Sequence, residues 1–269
     1  MTDLETAASK PISRRTLLTS AGAGGVALML AHTGLLHPDA AQAASELHYG
    51  AAPERVQDVL DIFATNEAFG VTLVGTILDS AKNGSYTPAL PDKVLRSLRA
   101  VRAEEQFHLD AIKKTGGRLR TDTFFLTDPH VLQDPHTLFT DLVELEDAAI
   151  ASVMASFRTF THARRPDLVK QNFQFAAEES EHRLLANRNL GVRPANDQAF
   201  QPALYATVAE FYDALREKGI IDGSTIGGGR KIVYPGPGAI DPSDVTYRTP
   251  AGPSVTDTCA RPSRRTHRR

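Results

Sequence analysis

Apolar side chains recur at steps of three and four residues through four long segments between residues 53 and 191, and this periodicity constrains the fold most strongly. The repeat is typical of amphipathic helices that bury one face. Proline or aspartate near the helix starts, and glycine after the second and fourth segments, favour the same bounds. The fold class is therefore predicted to be all-α. The predicted helices cover 53–81, 91–115, a segment that begins at Asp134, 166–191, and a fifth at 203–219.

The lengths of the connections select one arrangement of these helices. Short loops join the first helix to the second and the third to the fourth, which makes each pair an antiparallel hairpin. The connection 117–133 can span about 55 Å at roughly 3.3 Å per extended residue, more than the about 40 Å of the neighbouring helices. The sequence thus predicts two hairpins joined by a long crossover, which is the ferritin-like arrangement of a four-helix bundle.

Carboxylates interrupt the apolar face of each long helix. The second and fourth helices both carry a Glu-x-x-His step there, and the first and third both carry one glutamate. Residues three apart lie on one helical face about one turn apart, so both side chains of a step can reach one metal ion. The predicted metal ligands are Glu67, Glu105, His108, Glu146, Glu179 and His182.

Two Glu-x-x-His steps are more than chance explains, because fewer than one such step is expected by chance in a chain of 269 residues with 9 histidines. Six ionisable groups buried without counter-charges would cost several kcal/mol each, whereas two divalent ions balance four carboxylates. The sequence therefore predicts a dinuclear site. The alternatives are a metal-free polar network and solvated residues on misassigned faces. If a helical register is shifted, the competing ligands are Glu104, Glu144, Glu178 and Glu181.

Composition excludes several other classes of protein. Cys259 is the only cysteine, which rules out cysteine-built zinc, iron–sulfur and rubredoxin-type centres. The 30 basic residues nearly balance the 32 acidic ones, so nucleic acid is not an expected partner. Within 53–190 the only tyrosine is Tyr86, in a loop, and the only methionine is Met154, which speaks against a stored tyrosyl radical and against methionine-ligated haem.

The two ends of the chain differ from its acidic middle, residues 44–221. Residues 1–43 contain Arg14-Arg15, a long apolar run and a small-residue cleavage pattern that ends at Ala43, which predicts a twin-arginine signal peptide. The alternatives are an ordinary Sec signal peptide and an uncleaved membrane anchor. The twin-arginine translocase is then a partner during export to the periplasm, the cell envelope or the extracellular space. Residues 222–269 are basic and rich in Gly and Pro, so a largely extended or disordered tail is expected.

The paired Glu-x-x-His motifs behind a twin-arginine leader resemble the exported ferritin-like domain family, which is related to plant desiccation-related proteins. The resemblance covers roughly residues 53–190, about half of the chain. It implies that Glu105 and Glu179 bridge two ions. It also implies that each single glutamate and each histidine binds one ion.

The resemblance further implies two iron ions, or manganese, that react with oxygen or peroxide. Iron oxidation and the detoxification of peroxide or oxygen are the activities it favours. The sequence leaves open whether the chain is an enzyme of this kind, a structural or stress-protective bundle held together by its metals, or an iron-storage homo-oligomer.

Overall fold

A computed structural model describes residues 53–196, 198–223 and 229–245. The helical prediction is confirmed in this part of the chain, and the first four helices lie within a few residues of the expected bounds. The signal peptide predicted over 1–43 lies outside the described residues, and so do residues 246–269, which include Cys259. The helices are α1 (Val56–Lys82), α2 (Asp92–Lys114), α3 (Pro135–His162), α4 (Pro166–Leu190) and α5 (Val208–Glu217).

Local signals explain where the helices begin and end. The side chain of Asp134 accepts a hydrogen bond from the backbone N–H of Thr137 at 2.8 Å and caps α3, which has proline in its first turn. Gly191 takes the left-handed backbone conformation, with φ at 81°, and ends α4. The fifth helix is shorter than predicted because Thr207 caps it at its N-terminus, where its hydroxyl accepts from the N–H of Glu210.

The crossover connection runs the length of the bundle. Gly116, just after α2, accepts a hydrogen bond from Gln57 at the start of α1, at 2.9 Å. At the other end Thr87, in the α1–α2 loop, donates its N–H to the carbonyl of Gln133, just before α3, at 2.9 Å. Helices α2 and α3 therefore begin at the same end of the molecule. Helix α1 packs along α2, and α3 packs along α4, as the two predicted hairpins require.

The structure also contains a two-stranded sheet, which the all-α prediction did not include. Strand β1 (Thr123–Leu126) lies in the crossover connection and pairs antiparallel with β2 (Arg230–Val233), with Phe124 opposite Ile232. Both of these side chains are buried. Four-residue strands in a loop and in a Gly/Pro-rich segment carry too little periodicity for sequence to reveal them.

Part of the segment predicted to form the tail lies against the helices. Residues 229–245 are described, and β2 belongs to them. The hydroxyl of Tyr234 donates to Oε1 of Gln106 on α2 at 2.7 Å, and the ammonium of Lys113 lies 5.5 Å from the centre of its ring. The described part of the segment beyond residue 222 therefore contacts the helices. None of the helices in the described ranges is long and apolar enough to cross a membrane.

Candidate metal centre

The six side chains predicted as ligands meet inside the four-helix bundle. Each is at most 7% exposed, so the cluster lies in the buried interior. Helices α2 and α4 each contribute a glutamate and, one turn later, a histidine, while α1 and α3 each contribute one glutamate. These residues lie three or four positions from apolar residues of the same helix, so they share the face that points into the bundle. The six are Glu67, Glu105, His108, Glu146, Glu179 and His182.

The six residues form two overlapping groups of four, each able to hold a metal ion. In each group, one potential ligand atom per residue can be chosen so that all four lie within 4.8 Å of one another. Glu105 and Glu179 belong to both groups, as two bridging carboxylates would. One group is completed by Glu67 and His108, and the other by Glu146 and His182.

In the first group the donor atoms of α1, α2 and α4 converge. Nδ1 of His108 lies 3.4 Å from Oε2 of Glu67 and 3.4 Å from Oε1 of Glu179. At this length neither contact is a well-formed hydrogen bond, and both Nδ1 of His108 and Oε2 of Glu67 are buried without a hydrogen-bond partner. Buried polar atoms of this kind need an explanation, and a metal ion between them is one that their chemistry fits.

In the second group the ring of His182 lies among three carboxylates. Its Nδ1 is 3.2 Å from Glu179, 3.4 Å from Glu105 and 3.6 Å from Glu146. The other ring nitrogen, Nε2, lies 3.0 Å from Oε2 of Glu104. Nδ1 is thus the nitrogen turned toward the cluster, and Glu104 contacts the ring from outside it.

Burial raises the pKa of Glu67 and of Glu146 well above the usual range of a glutamate. Neighbouring negative charges raise it further, because Glu105 lies near Glu67 and Glu179 lies near Glu146. In the metal-free protein both carboxyls therefore tend to keep a proton.

The pKa values of Glu179, His108 and His182 are shifted by attraction between the carboxylates and the protonated rings. Burial acts to raise the pKa of Glu179, but the hydrogen bond from His182 and the positive charge of both nearby rings hold it below its usual value. Burial acts to lower the pKa of His108, but Glu179 and Glu67 raise it to about 10. The pKa of His182 is likewise raised, against burial, by hydrogen bonding to Glu104 and other carboxylates. Protonated rings thus balance part of the negative charge that divalent ions would otherwise balance.

The two groups differ in what supports each histidine. The ring of His108 packs against Phe175, with ring centres 4.6 Å apart. His182 instead has the carboxylate of Glu104 at its outer nitrogen. A carboxylate in this position fixes the tautomer and orientation of a metal-binding imidazole and raises its basicity. The two groups therefore contain the same types of side chain, but different neighbours hold their two histidine rings in place.

The competing glutamates lie around this cluster and outside both groups. Glu104 is partly buried and contacts His182. Glu144 is buried but lies 3.3 Å from the ammonium of Lys218, at another place on α3. Glu178 is partly exposed and Glu181 is exposed. The predicted registers of the helices are therefore the ones that bring the carboxylates together.

Other residues singled out by sequence lie apart from this cluster. Tyr86 donates its hydroxyl proton to the carbonyl of Val131 at 2.6 Å in the loop region, and Met154 is 36% exposed on α3. His130, His136 and His162 are exposed near helix ends, as expected for solvated side chains.

Sequence reasoning missed two supports of the site. One is the position of Glu104 behind His182. The other is a buried ion pair between α3 and α4, in which Nε of Arg183 donates to Oδ1 of Asp147 at 2.6 Å, directly beside the ligands Glu146 and His182 in the chain. Glu104 precedes Glu105 directly in the sequence, but only the packing of α2 against α4 shows that it contacts the ring of His182.

The comparisons with known proteins add no relative to this description. No family model matches the chain, and neither the curated proteins nor the solved structures that were compared gave a match. The helical fold and the buried cluster of glutamates and histidines define a helical protein with a site able to hold metal.

Proposed function

We propose that this chain binds two divalent metal ions, iron or manganese, in the cluster between α1, α2, α3 and α4. The observation that carries the proposal is the pair of overlapping four-ligand groups that share Glu105 and Glu179. Two ions joined by two carboxylates account for this sharing, because a single ion would use only one of the groups. Oxygen and imidazole ligands without sulfur suit iron and manganese.

Charge balance supports a pair of ions over a single one. Four ionised glutamates carry four negative charges in a buried volume, and two divalent ions cancel them. A pair of ions also gives partners to the unsatisfied atoms of Glu67 and His108. One ion would leave two carboxylates to be neutralised by protons.

The proposed activity is a reaction with oxygen or peroxide, in iron oxidation or in detoxification. Bound iron or manganese would supply the change of oxidation state. The side chains of the protein would hold the ions together through Glu105 and Glu179, and would keep the proton of His182 on Nε2, where Glu104 accepts it. Burial of the six ligands excludes bulk water from the centre.

Membership of the exported ferritin-like domain family and export by the twin-arginine route belong to the same proposal. The two Glu-x-x-His motifs support the first, and Arg14-Arg15 with the apolar run that follows supports the second. A protein exported in the folded state would carry metal loaded in the cytoplasm. Localisation in the periplasm, the cell envelope or outside the cell would follow.

Elemental analysis of the full chain, produced with iron or with manganese supplied, tests the metal site. We expect about two metal atoms per chain in the parent, and almost none in the Glu105→Ala, Glu179→Ala double variant. The matched control is the Glu178→Ala, Glu181→Ala double variant, which removes two neighbouring carboxylates and should keep the metal. Equal metal content in all three proteins would overturn the proposal.

A structural role for the metals is distinguished by a second measurement on the same samples. The ligand atoms come from all four long helices, so bound ions would also stabilise the bundle against unfolding. Addition of peroxide to the iron-loaded protein should change its absorption spectrum if the centre reacts. A higher melting temperature on metal binding without any spectral change would favour the structural bundle instead.

A further inference from the structure

A small cavity lies between α1 and α3 and ends at three of the proposed metal ligands. Glu105, Glu146 and Glu179 form part of its wall, and the first and last of these are the two proposed bridging carboxylates. These three side chains are at most 7% exposed, whereas Asn66 and Gly70, which line the same cavity, are partly exposed. The cavity therefore leads from the surface of the bundle toward the buried carboxylates.

The size of this cavity limits what it can hold. Its volume is about 30 Å³, on the scale on which one water molecule needs about 10–15 Å³. A molecule of two or three heavy atoms fits this space, and a larger organic molecule does not. A neighbouring cavity of about 60 Å³ shares four apolar wall residues with the first, namely Phe69, Leu73, Leu142 and Leu145. These side chains separate the two spaces, so neither can serve as part of a larger site.

The polar groups of the cavity are suited to a molecule that forms hydrogen bonds. Carboxylate oxygens accept hydrogen bonds, and the side-chain amide of Asn66 both accepts and donates them. No hydrogen bond joins this amide to another of the described residues. Hydrogen peroxide has two heavy atoms and two O–H donors, whereas dioxygen has the same size and no donor. The lining therefore favours hydrogen peroxide over dioxygen.

We propose that this cavity is the place where hydrogen peroxide reaches the proposed metal centre, and that its apolar wall excludes organic hydroperoxides. Asn66 is the positioning residue on the partly exposed side of the cavity, and Leu145 limits its size. The organic peroxide tert-butyl hydroperoxide has six heavy atoms, which is more than the cavity can hold. The inference narrows the substrate of the proposed function and rests on that function.

Two alcohols measure the size limit without turnover. Methanol has the size of hydrogen peroxide, and tert-butanol is close in size to tert-butyl hydroperoxide. Their proton relaxation is measured with the full chain loaded with Mn²⁺, and the relaxation with the metal-free chain is subtracted. We expect the metal to enhance the relaxation of methanol at least tenfold more than that of tert-butanol, because only methanol can approach the ligand carboxylates. Equal enhancement of the two alcohols would overturn the inference.

Substitutions at Leu145 and Asn66 locate the effect. Leu145→Ala opens the wall between the two cavities and should increase the enhancement for tert-butanol at least fivefold, with the metal content unchanged. The matched control is Leu95→Ala on α2, a partly buried leucine that lines neither cavity, and it should behave like the parent. Asn66→Leu keeps the side-chain volume but removes the amide, so it should lower the enhancement for methanol at least threefold. Parent-like relaxation in Leu145→Ala and Asn66→Leu would contradict the proposal.

Peroxides test the same limit at the centre itself. Hydrogen peroxide should change the absorption spectrum of the iron-loaded chain at least tenfold faster than tert-butyl hydroperoxide does, and Leu145→Ala should reduce this difference. If Leu145→Ala loses metal, the smaller change Leu145→Val should shift the ratio of rates in the same direction. Equal rates for the two peroxides in the parent, or a reaction with dioxygen alone, would show that the substrate is wrongly assigned.

The outcomes separate this inference from the proposed function. If the parent binds no metal, the proposed function fails. Nuclear Overhauser effects to the methyl groups of Leu145 in the metal-free chain, from methanol and not from tert-butanol, would still establish a cavity of limited size. If methanol gives no such effects and no enhanced relaxation, the cavity does not admit molecules of this size and the inference fails.

Discussion

Oε2 of Glu104 lies 3.0 Å from Nε2 of His182, on the side of the ring opposite the nitrogen that faces the other carboxylates. When Nδ1 binds a metal ion, the proton of the neutral ring stays on Nε2 and Glu104 accepts it. His108 has an aromatic neighbour, Phe175, packed against its ring. The two proposed metal positions are therefore expected to differ in affinity.

Glu104→Ala should weaken the metal position that contains His182 by about 10- to 100-fold, because the imidazole loses the group that orients it. Titration with Mn²⁺, followed by electron paramagnetic resonance, should then show one tight ion where the parent shows two. Glu104→Gln should lie between these results, since its amide oxygen can still accept the proton. The control is Glu181→Ala, which removes an exposed carboxylate of α4. Two unchanged tight positions in Glu104→Ala would contradict the assigned role.

Gly70 leaves room for the carboxylate of Glu105, one of the two proposed bridging ligands. A Cβ atom at this position of α1 would lie 2.6 Å from Oε2 and 2.8 Å from Cδ of Glu105. Glycine within a helix costs about 0.5–1 kcal/mol of stability relative to alanine. At position 70 this cost accompanies the space that the carboxylate of Glu105 needs. A Cβ atom at Gly75, one and a half turns later, would lie 2.7 Å from Nη2 of Arg102, but this is the end of a flexible side chain that can move away.

Gly70→Ala should displace Glu105 and reduce bound metal from about two ions per chain to one or none, even though alanine favours the helix. Gly75→Ala is the matched control, and it should keep both ions while the free energy of unfolding rises by about 0.5–1 kcal/mol. Elemental analysis and urea unfolding measure the two effects separately. Equal metal content in the two variants would show that Glu105 has space to adapt.

The sequence predicted which side chains meet in the buried cluster because they obey a helical repeat. Glu105 and His108, and Glu179 and His182, stand at apolar positions of their helices, so the burial of these helices fixes where they point. The relation of Glu104 to His182 depends on how α2 crosses α4, which no repeat within one helix encodes. The same is true of the contact between Gly70 and Glu105, which joins α1 to α2.

The packing of the tail was beyond the sequence for a different reason. Strand β2 is four residues long, and only Ile232 in it is buried. Its partner β1 lies about a hundred residues away in the crossover connection, and the hydrogen bond from Tyr234 to Gln106 is equally remote. Such contacts stabilise a segment whose own composition favours disorder.

Metal binding should release protons, because the metal-free cluster holds protons that ions must displace. The pKa of His108 is raised to about 10, so this ring holds a proton at pH 7, and the raised pKa values of His182, Glu67 and Glu146 shift these groups toward their protonated forms. Metal ligands must be neutral imidazole and ionised carboxylate. The apparent affinity should therefore increase as the pH rises from about 6 to 8.

Calorimetric titration with Mn²⁺ in buffers of different ionisation enthalpy measures the released protons. We expect about one proton or more per ion, with the largest release at the lower pH. The Glu105→Ala, Glu179→Ala double variant should show neither metal binding nor release. An affinity that does not change with pH would mean that the six groups are already free of protons in the metal-free protein.

The ion pair between Arg183 and Asp147 ties α3 to α4 beside the site, and its loss should destabilise the whole bundle. Both side chains are buried, and Nε2 of Gln201 also donates to Oδ1 of Asp147, at 2.8 Å. Asp147→Ala should lower the free energy of unfolding of the metal-free protein by about 1–3 kcal/mol, because it removes the carboxylate that accepts hydrogen bonds from Arg183 and Gln201 in a buried position. Urea unfolding measures the change. Asp167→Ala breaks the exposed pair with Arg165 and should cost at most about 1 kcal/mol. Equal costs for the two variants would show that water or other polar groups replace the carboxylate of Asp147.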